Sequence, residues 1–578
     1  MTSNENKTAP SAGPTSGDQS TPSAAAPSTP SAGESSIPSR AEYLKAEGNT
    51  FFLRKDYALA ALKYTEALEV DEKNAVLWAN RAACRLQLKE YTDAVADAQK
   101  VNLCAIELDP NYGKAWSRLA TAEDFLHHPL ASVPAWRRAL ECLPTTNLTP
   151  TEEKQKTEWI KGLHAAEAAL AKPVDVMANG SRDITDEKDE MPWVVAEKIL
   201  GDMQRAGSGT WKSSAWLINL AHVQFKMGSD ELKQQTQTRD PKTGQMLLGT
   251  KGGILELLTN AITTDTRVVA LDQEWLQRSQ MQLQWEVQMS EAWPNAGPDQ
   301  LMREFPARLV QVGWQRARLA FSTTVRRWIL NACLDSGLRG KYDNARLWLS
   351  NAVQVLAWGS ETYKSVPASD KGPVFDPTFI LGVRRYLLDV LKAAYSQSQD
   401  QKILEEIYEA AQETLKEVEK LPPVANPVPD PAFHLAFNVY PKAEATAALG
   451  FYHSAVADLE ETSPQDAADH LTKAASSYID AAETLPDDDE LHPLYTATAF
   501  DQMRPFPVPV RTTLTLLTSI KQSVPRAERI WKASSIWKGG VGERFAKLLE
   551  AERELRQGLD AGKWTLDTTV EETGVKIP

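Results

Sequence analysis

The 578-residue sequence lacks several features that would each assign it to a broad class of proteins. It has no run of about 18 apolar residues, which predicts that no helix crosses a membrane. The N-terminus has no basic segment followed by an apolar one, so we expect no secretory signal and a cytoplasmic location. The cysteines form no CxxC pair and favour buried, reduced thiols over a disulfide framework. They are Cys84, Cys104, Cys142 and Cys333.

Positive charge is also scarce. The chain has 63 Lys and Arg residues against 77 Asp and Glu residues, a formal net charge of −14. Nucleic-acid binding requires a basic face that neutralises phosphates. We therefore predict no nucleic-acid partner, although a small basic pocket remains compatible with this balance.

Motifs of catalysis and cofactor binding are missing as well. There is no GxSxG, no HExxH and no convincing catalytic triad, and the adjacent pair His127-His128 lacks further ligands nearby. The segment Gly249–Gly253 has neither the spacing of a phosphate-binding loop nor a predicted strand before it. The acidic run Asp487–Glu490 is interpreted as the start of a helix, where negative charge is favourable. We predict no enzyme activity, no cofactor and no metal site.

The sequence does contain a repeated helical pattern. In the first unit, large residues occupy positions 4, 11, 17 and 24 and small residues occupy positions 8, 20 and 27. These residues are Leu44, Gly48, Phe51, Tyr57, Ala60, Tyr64 and Ala67, counted from Ala41. A second unit begins at Ala75, and a third contains Trp116. Thr149 and Glu152 form a predicted capping box that starts a closing helix ending near Leu170. This is the tetratricopeptide spacing of two antiparallel helices per 34 residues.

The third unit is irregular. Trp78 and Trp116 are 38 residues apart instead of 34, and the extra four residues lie near Val101–Cys104. Four residues add about one helical turn. A longer helix and an error in gene assembly both explain this excess. Pro134 falls within the second helix of this unit, so we expect that helix to begin at Pro134 or shortly before it.

The rest of the chain is predicted to be helical with breaks. The fold class is therefore all-α, a stack of helical hairpins with a closing helix followed by a long helical region. Two half-repeat matches there, around Tyr342 and Tyr478, fit degenerate repeats and plain helical hairpins equally well. Thr236–Lys251 is interpreted as a loop. The predicted divisions are a disordered Ser/Pro/Ala-rich tail (1–39), a three-repeat domain with its closing helix (40–171), an acidic linker (172–192), a helical region (193–421), a Pro-rich linker (422–433), a second helical region (434–560) and a flexible tail (561–578).

Five polar residues recur on the first helices of the repeats. Residues four apart share one face of a helix, so each pair points in one direction. Because the first helices line the concave groove of such a stack, we expect all five side chains to converge there. They are Lys45 and Asn49 in unit one, Asn80 in unit two, and Lys114 and Arg118 in unit three.

This set resembles the two-carboxylate clamp of tetratricopeptide cochaperones. The segments that carry the resemblance are LKAEGN, NAVLWANRA and NYGKAWSRL, which begin at Leu44, Asn74 and Asn111. The resemblance covers residues 41–170, about a quarter of the chain. It implies that the partner is the C-terminal Glu-Glu-Val-Asp peptide of heat-shock protein 90 or 70. It also implies that Lys45, Asn49 and Asn80 hold the terminal carboxylate.

The same resemblance assigns roles to the third unit. Lys114 would reach the side chain of the final Asp, and Arg118 would hold a residue further up the peptide. The helical region after residue 193 would bind a second, unidentified protein, and no membrane is involved. Two alternatives stay open: a scaffold that binds another peptide motif, and an enzyme whose site lies in the C-terminal helices.

Overall fold

A computed structural model of the chain describes residues 40–88, 94, 97, 113–125, 129–144, 146, 148–171, 185–206, 211–239, 246–294, 296–423, 427–459 and 462–577. Over these residues the chain is almost entirely helical, which confirms the all-α prediction. Several predictions concern residues outside this set. They are the 1–39 tail, the Val101–Cys104 insertion, the pair His127-His128 and residues 172–184 of the acidic linker.

The N-terminal helices follow one another as hairpins. They are α1 Arg40–Leu53, α2 Tyr57–Val70, α3 Ala75–Leu88, α4 Gly113–Phe125, α5 Pro129–Glu141 and α6 Pro150–Ala171. α1 contacts α2, α2 contacts α3, α4 contacts α5 and α5 contacts α6. The hairpin α1–α2 is closed by Asp56, whose side chain accepts a hydrogen bond from the Leu59 N–H at the start of α2.

Small residues permit close approach of the helices at the predicted positions. A Cβ atom added at Gly48 would lie 2.7 Å from the ring of Tyr64. Tyr64 is buried between Ala60 and Ala67, which are also buried. The small positions of the repeat therefore accommodate the large ones, as the sequence predicts.

The closing helix α6 begins with the predicted capping box. The Thr149 N–H donates to Glu152 Oε2 at 2.7 Å, and the Glu152 N–H donates to Thr149 Oγ1 at 3.3 Å. Further along α6, Gly162 lies directly against the Trp136 ring of α5. Trp159 is buried on the same side. α6 therefore covers the open face of the α4–α5 hairpin.

The expected start of the second helix of unit three is wrong. α5 begins at Pro129, and Pro134 lies inside it. Pro129 occupies the first helical position, where a missing N–H has no intrahelical partner to lose. Pro134 removes one internal hydrogen bond, but Trp136 anchors the helix through a 2.7 Å hydrogen bond from Nε1 to Asp124 on α4.

The C-terminal helices form a second, larger assembly. They are α7 Pro192–Ala206, α8 Ser214–Lys233, α9 Ile254–Thr264, α10 Gln273–Met289, α11 Pro298–Arg339, α12 Tyr342–Thr362, α13 Ala368–Lys371, α14 Pro377–Ser398, α15 Gln401–Glu419, α16 Pro431–His434, α17 Tyr440–Ala457, α18 Pro464–Thr484, α19 Leu491–Met503, α20 Val510–Trp531, α21 Gly542–Asp560 and α22 Val570–Thr573. Short 3₁₀-helices occupy Thr185–Glu190, Thr266–Val268 and Pro373–Phe375, and π-turns occupy Leu435–Val439 and Trp537–Val541. α11 is broken at Gly313, whose φ is 74°.

One continuous apolar core extends through this assembly. It includes Met191 at its start, Trp328 and Leu391 in its centre, and Leu517 and Leu555 near its end. The predicted regions 193–421 and 434–560 therefore contribute to the same core. The Pro-rich segment connects helices of one packed unit, because α15 and α17 on either side of it contact each other.

Both half-repeat matches lie on helices with the expected buried faces. Ala345 and Leu349 of α12 are buried, as are Ala474 and Tyr478 of α18. A Cβ atom added at Gly450 of α17 would lie 3.0 Å from the Tyr478 ring. This contact reproduces that between Gly48 and Tyr64, and it supports a repeat-like packing of α17 and α18.

The segment Thr236–Lys251 is not the loop that the sequence indicated. It contains an antiparallel hairpin of β1 Thr236–Arg239 and β2 Met246–Gly249. β1 is polar and exposed along its whole length, so it carries no alternating apolar pattern from which a strand could be predicted. β2 puts a strand before Gly249–Gly253, but Lys251 forms an ion pair with Glu231 at 2.6 Å.

The C-terminal end differs from the flexible tail that we expected. The Val510 N–H donates to the Thr568 carbonyl at 2.9 Å, and the Val570 N–H donates to the Val508 carbonyl at 3.0 Å. Trp564 Nε1 donates to the Leu555 carbonyl at 3.0 Å. These hydrogen bonds attach the last segment to α20 and α21. The sequence pattern did not predict them, because they join residues that are distant in the sequence.

The acidic run Asp487–Glu490 is more than a helix cap. Asp489 does accept a hydrogen bond from the Leu491 N–H at the start of α19, at 2.8 Å. However, the side chains of Asp489 and Glu490 are buried and contact Arg267 of the Thr266–Val268 turn. The run therefore belongs to an internal ionic network.

Candidate peptide-binding site

The five predicted clamp residues lie on α1, α3 and α4. Lys45 and Asn49 are on α1, Asn80 is on α3, and Lys114 and Arg118 are on α4. Lys114 and Asn49 are exposed, and the other three side chains are half-buried. α1 and α4 are the first helices of the hairpins α1–α2 and α4–α5.

Two of the amides meet at a tyrosine. Tyr64 Oη on α2 donates to Asn49 Oδ1 at 2.7 Å, and Asn80 Nδ2 donates to the same oxygen at 3.4 Å. Because Asn49 Oδ1 accepts both bonds, the Asn49 Nδ2 group is oriented away from them as a donor. A carboxylate needs N–H donors, so this orientation suits an anionic ligand.

Arg118 of the third unit acts electrostatically on this cluster. Burial raises the pKa of Tyr64 to about 12 and that of Cys84 to about 12, and in both cases the nearby Arg118 guanidinium opposes the increase. A positive charge in the surroundings favours the ionised form of a phenol or a thiol. Hydrogen bonds therefore join Tyr64, Asn49 and Asn80, and the charge of Arg118 acts on Tyr64 from the third unit.

The two lysines are placed differently. Lys45 Nζ forms an ion pair with Glu42 on its own helix at 2.7 Å, and the Glu42 side chain is half exposed. Exposed pairs of this kind contribute about 0–1 kcal/mol, so an anionic ligand could replace Glu42 at little cost. The Lys114 side chain is exposed on α4.

The sequence did not identify the groups that hold the cluster in place. The Tyr64 hydroxyl is one, although the tyrosine was assigned only a packing position. Arg81 is another: it bonds both oxygens of Asp97 at 2.9 and 2.7 Å and Thr65 at 2.9 Å. Arg81 thereby ties α3 to α2. The role of the Tyr64 hydroxyl could have been inferred from the sequence, because position 24 of the first repeat holds a tyrosine and not a phenylalanine.

Comparison with known proteins agrees with the repeat geometry. The chain is 43% identical over 102 residues to the small glutamine-rich tetratricopeptide repeat-containing protein 2 of Saccharomyces cerevisiae. The N-terminal helices are tetratricopeptide repeats. The chain is also 43% identical over 101 residues to the heat shock protein sti1 homolog of Schizosaccharomyces pombe, and 30% identical over 152 residues to the Hsp70-Hsp90 organizing protein of Triticum aestivum.

These likenesses are local. The matches cover 18%, 18% and 26% of this chain, and 28%, 16% and 24% of the three relatives. Among solved structures, the first tetratricopeptide domain of Spaghetti bound to an HSP90 peptide is 27% identical, with a TM-score of 0.21, and the match covers 24% of this chain and all of that one. Yeast Tom70 is 14% identical, with a TM-score of 0.26, and the match covers 90% and 98%. No protein-family model matches the chain.

Two further findings concern the described residues as a whole. None of the helices in the described ranges is long and apolar enough to cross a membrane. Within the same ranges, no three His, Cys, Asp or Glu side chains are grouped so as to hold a metal ion.

Proposed function

We propose that this chain is a cochaperone adaptor whose repeats bind the C-terminal Glu-Glu-Val-Asp peptide of heat-shock protein 90 or 70. The observation that supports the proposal is the hydrogen-bonded cluster of Tyr64, Asn49 and Asn80, on which the Arg118 charge acts. The names of the relatives, which include an Hsp70-Hsp90 organizing protein, support the same partner. The adaptor has no catalytic role in this proposal and acts in the cytoplasm.

The chemistry of the ligand explains the residue types. A C-terminal aspartate carries a main-chain and a side-chain carboxylate within a few ångströms of each other. Asn49 and Asn80 orient the main-chain carboxylate without adding charge. Lys45 exchanges its ion pair with Glu42 for an ion pair with this carboxylate. Lys114 binds the aspartate side chain, and Arg118 binds a residue further up the peptide.

The expected affinity is moderate. Each charge-assisted hydrogen bond contributes about 1.5–3 kcal/mol when partly desolvated. The cost of ordering a flexible peptide offsets much of this sum. We therefore expect a Kd in the micromolar range, about −7 to −8 kcal/mol, which weakens as salt screens the lysines.

A peptide comparison tests the proposal directly. The full chain is titrated with a fluorescent Met-Glu-Glu-Val-Asp peptide and with the same peptide amidated at its C-terminus. Amidation removes the main-chain carboxylate, so we expect the amide to bind at least about tenfold more weakly, a difference of about 1.4 kcal/mol. Equal binding of both peptides would exclude the clamp and favour a scaffold that recognises another motif.

The Tyr64 hydroxyl supplies a second prediction. In Tyr64→Phe the ring still fills the space beside Gly48, but Asn49 loses the donor that orients its amide. We expect peptide binding to weaken about three- to tenfold, because one hydrogen bond contributes about 1 kcal/mol. Fluorescence anisotropy with the same peptide measures this change.

A matched control uses another tyrosine of the first hairpin. Tyr43 lies on α1 and is exposed, so Tyr43→Phe should leave the affinity unchanged. The melting temperature of Tyr43→Phe should match that of the wild type, and that of Tyr64→Phe should fall by only a few degrees, as expected for the loss of one hydrogen bond. If Tyr64→Phe binds the peptide as tightly as Tyr43→Phe, the hydroxyl does not position the clamp.

A further inference from the structure

A cavity of about 750 Å³ opens into the C-terminal assembly. It lies between the start of α7, the segment 266–271, the C-terminal end of α11, α14 and the segment 531–539 that follows α20. This volume is within the range of about 300–1,000 Å³ that is typical of small-molecule sites. The aromatic side chains in its walls are Trp193, Tyr342, Tyr386 and Trp531.

Two carboxylates face this cavity, those of Glu490 and Asp389. Glu490 is buried, and its oxygens accept hydrogen bonds from Arg267 and from the Ser534 hydroxyl. Asp389 pairs with Lys392 at 2.9 Å, and its side chain is 42% exposed. Both carboxylates retain lone pairs that can accept further donors.

Two cationic residues, Arg267 and Lys538, also border the cavity. Lys538 already has an interaction within the protein, and Arg267 is not available for an anion. Its five N–H groups bond Asp265, Asp489 and Glu490 at 2.7 to 3.3 Å, and the bond to Glu490 is the longest. Its guanidinium also lies 3.9 Å from the centre of the Trp531 ring, which covers one face. An anionic ligand would therefore find no unused donor on Arg267.

The buried network behind the cavity contains more negative than positive groups. Asp265, Asp489 and Glu490 share Arg267, and Arg385 lies 3.6 Å from Asp265 and 2.8 Å from Glu444. Four carboxylates thus face two guanidinium groups and the ammonium group of Lys392, which also acts on Glu444. Burial, together with the neighbouring Asp489, raises the pKa of Glu490 to about 7, although Arg267 and Ser534 oppose this increase. A further cation near Glu490 would relieve the imbalance.

We propose that this cavity binds an organic cation, an ammonium or guanidinium group on an apolar carbon chain, whose charge contacts the carboxylates of Glu490 and Asp389. The aromatic walls provide surface for the carbon chain and can hold a cation against a ring face. A bare metal ion fits less well, because no three ligating side chains converge among the described residues. Cys333 also borders the cavity, but burial raises the pKa of its thiol to about 12, so it stays protonated and unreactive.

Isothermal titration calorimetry of the full chain tests this with butylguanidinium and with butylurea, its uncharged isostere. We expect saturable binding of butylguanidinium at one site and binding of butylurea that is at least about tenfold weaker.

A second pair of probes separates two sources of the cation. These are the capped peptide Ala-Leu-Arg-Leu-Ala and its citrulline counterpart. Tighter binding of the arginine peptide than of butylguanidinium would assign the cation to a polypeptide, and the reverse would assign it to a small amine or guanidine.

Variants of the two carboxylates locate the binding. Asp389→Asn changes a partly exposed group and should weaken butylguanidinium binding about fivefold or more without lowering the melting temperature. Glu490→Gln should weaken it further, since Glu490 is the more buried charge. Asp202→Asn is the matched control, because Asp202 is an exposed carboxylate on α7 that does not border the cavity, and it should bind as the wild type does.

Three results would overturn the proposal. The first is no saturable heat with butylguanidinium up to about 10 mM, where even a millimolar site would be filled. The second is equal affinity for butylguanidinium and butylurea. The third is unchanged affinity in both Asp389→Asn and a folded Glu490→Gln.

Discussion

Arg118→Ala is expected to weaken binding of the Glu-Glu-Val-Asp peptide by about tenfold to a hundredfold, a loss of about 1.4–3 kcal/mol. Arg118 is half-buried and acts electrostatically on Tyr64 and Cys84, so its charge is poorly screened by water. Lys114→Ala should cost at least about tenfold as well, through the aspartate side chain. Fluorescence anisotropy against the wild type measures both losses.

Two further variants make this result specific. Arg118→Lys keeps the charge but loses the planar donor pair, so its loss should fall between those of the wild type and of Arg118→Ala. Arg137 is the matched control, since it lies on α5 with its side chain 62% exposed and pairs with Glu167. Arg137→Ala should bind normally. Unchanged affinity in both Arg118→Ala and Lys114→Ala, with both variants folded, would remove the clamp.

The hairpin packing could be predicted because it depends on residues within one short repeat. Gly48 and Tyr64 are 16 residues apart, and their contact follows from the spacing of small and large residues alone. The capping box of Thr149 and Glu152 is even more local. In both cases the interacting groups are specified by sequence distance, so one sequence is sufficient.

The arrangement of the candidate site was only partly predictable. The repeat spacing predicted that Asn49, Asn80 and Arg118 lie on first helices. It did not predict the hydrogen bond that the Tyr64 hydroxyl donates to Asn49. The exposure of Lys114 also depends on how α4 sits against its neighbours. Side-chain hydrogen bonds across helices are tertiary properties, and a periodic pattern does not encode them.

The acidic run Asp487–Glu490 shows the limit most clearly. Four consecutive acidic residues are typical of a solvated surface, since charged side chains are rarely buried without partners. Arg267, the partner of Asp489 and Glu490, lies 222 residues from Asp489 in the sequence. Nothing in the local pattern connects the two, so the network appears only in the folded chain.

Arg267→Leu is expected to destabilise the C-terminal assembly by about 3–5 kcal/mol, because it leaves several buried carboxylates without their cation. The variant loses the bonds to Asp265, Asp489 and Glu490 and the contact with the Trp531 ring. Chemical denaturation followed by tryptophan fluorescence measures the loss. Arg205→Leu is the matched control, since Arg205 pairs with Asp202 on the surface with its side chain 75% exposed, and its cost should stay within about 0.5 kcal/mol.

The pH dependence of this loss separates a charge effect from a packing effect. Because the folded-state pKa of Glu490 is raised to about 7, the native protein holds a proton there that the unfolded chain releases. The stability from this proton is present in acid and declines as pH rises through 7. Without Arg267 the remaining carboxylates repel one another more strongly once ionised. The cost of Arg267→Leu should therefore be larger at pH 8 than at pH 6, whereas a mere loss of packing would cost the same at both. An equal cost at the two pH values would mean that Arg267 does not neutralise these carboxylates. An excess of negative charge would then no longer be a reason for a cation to bind in the neighbouring cavity.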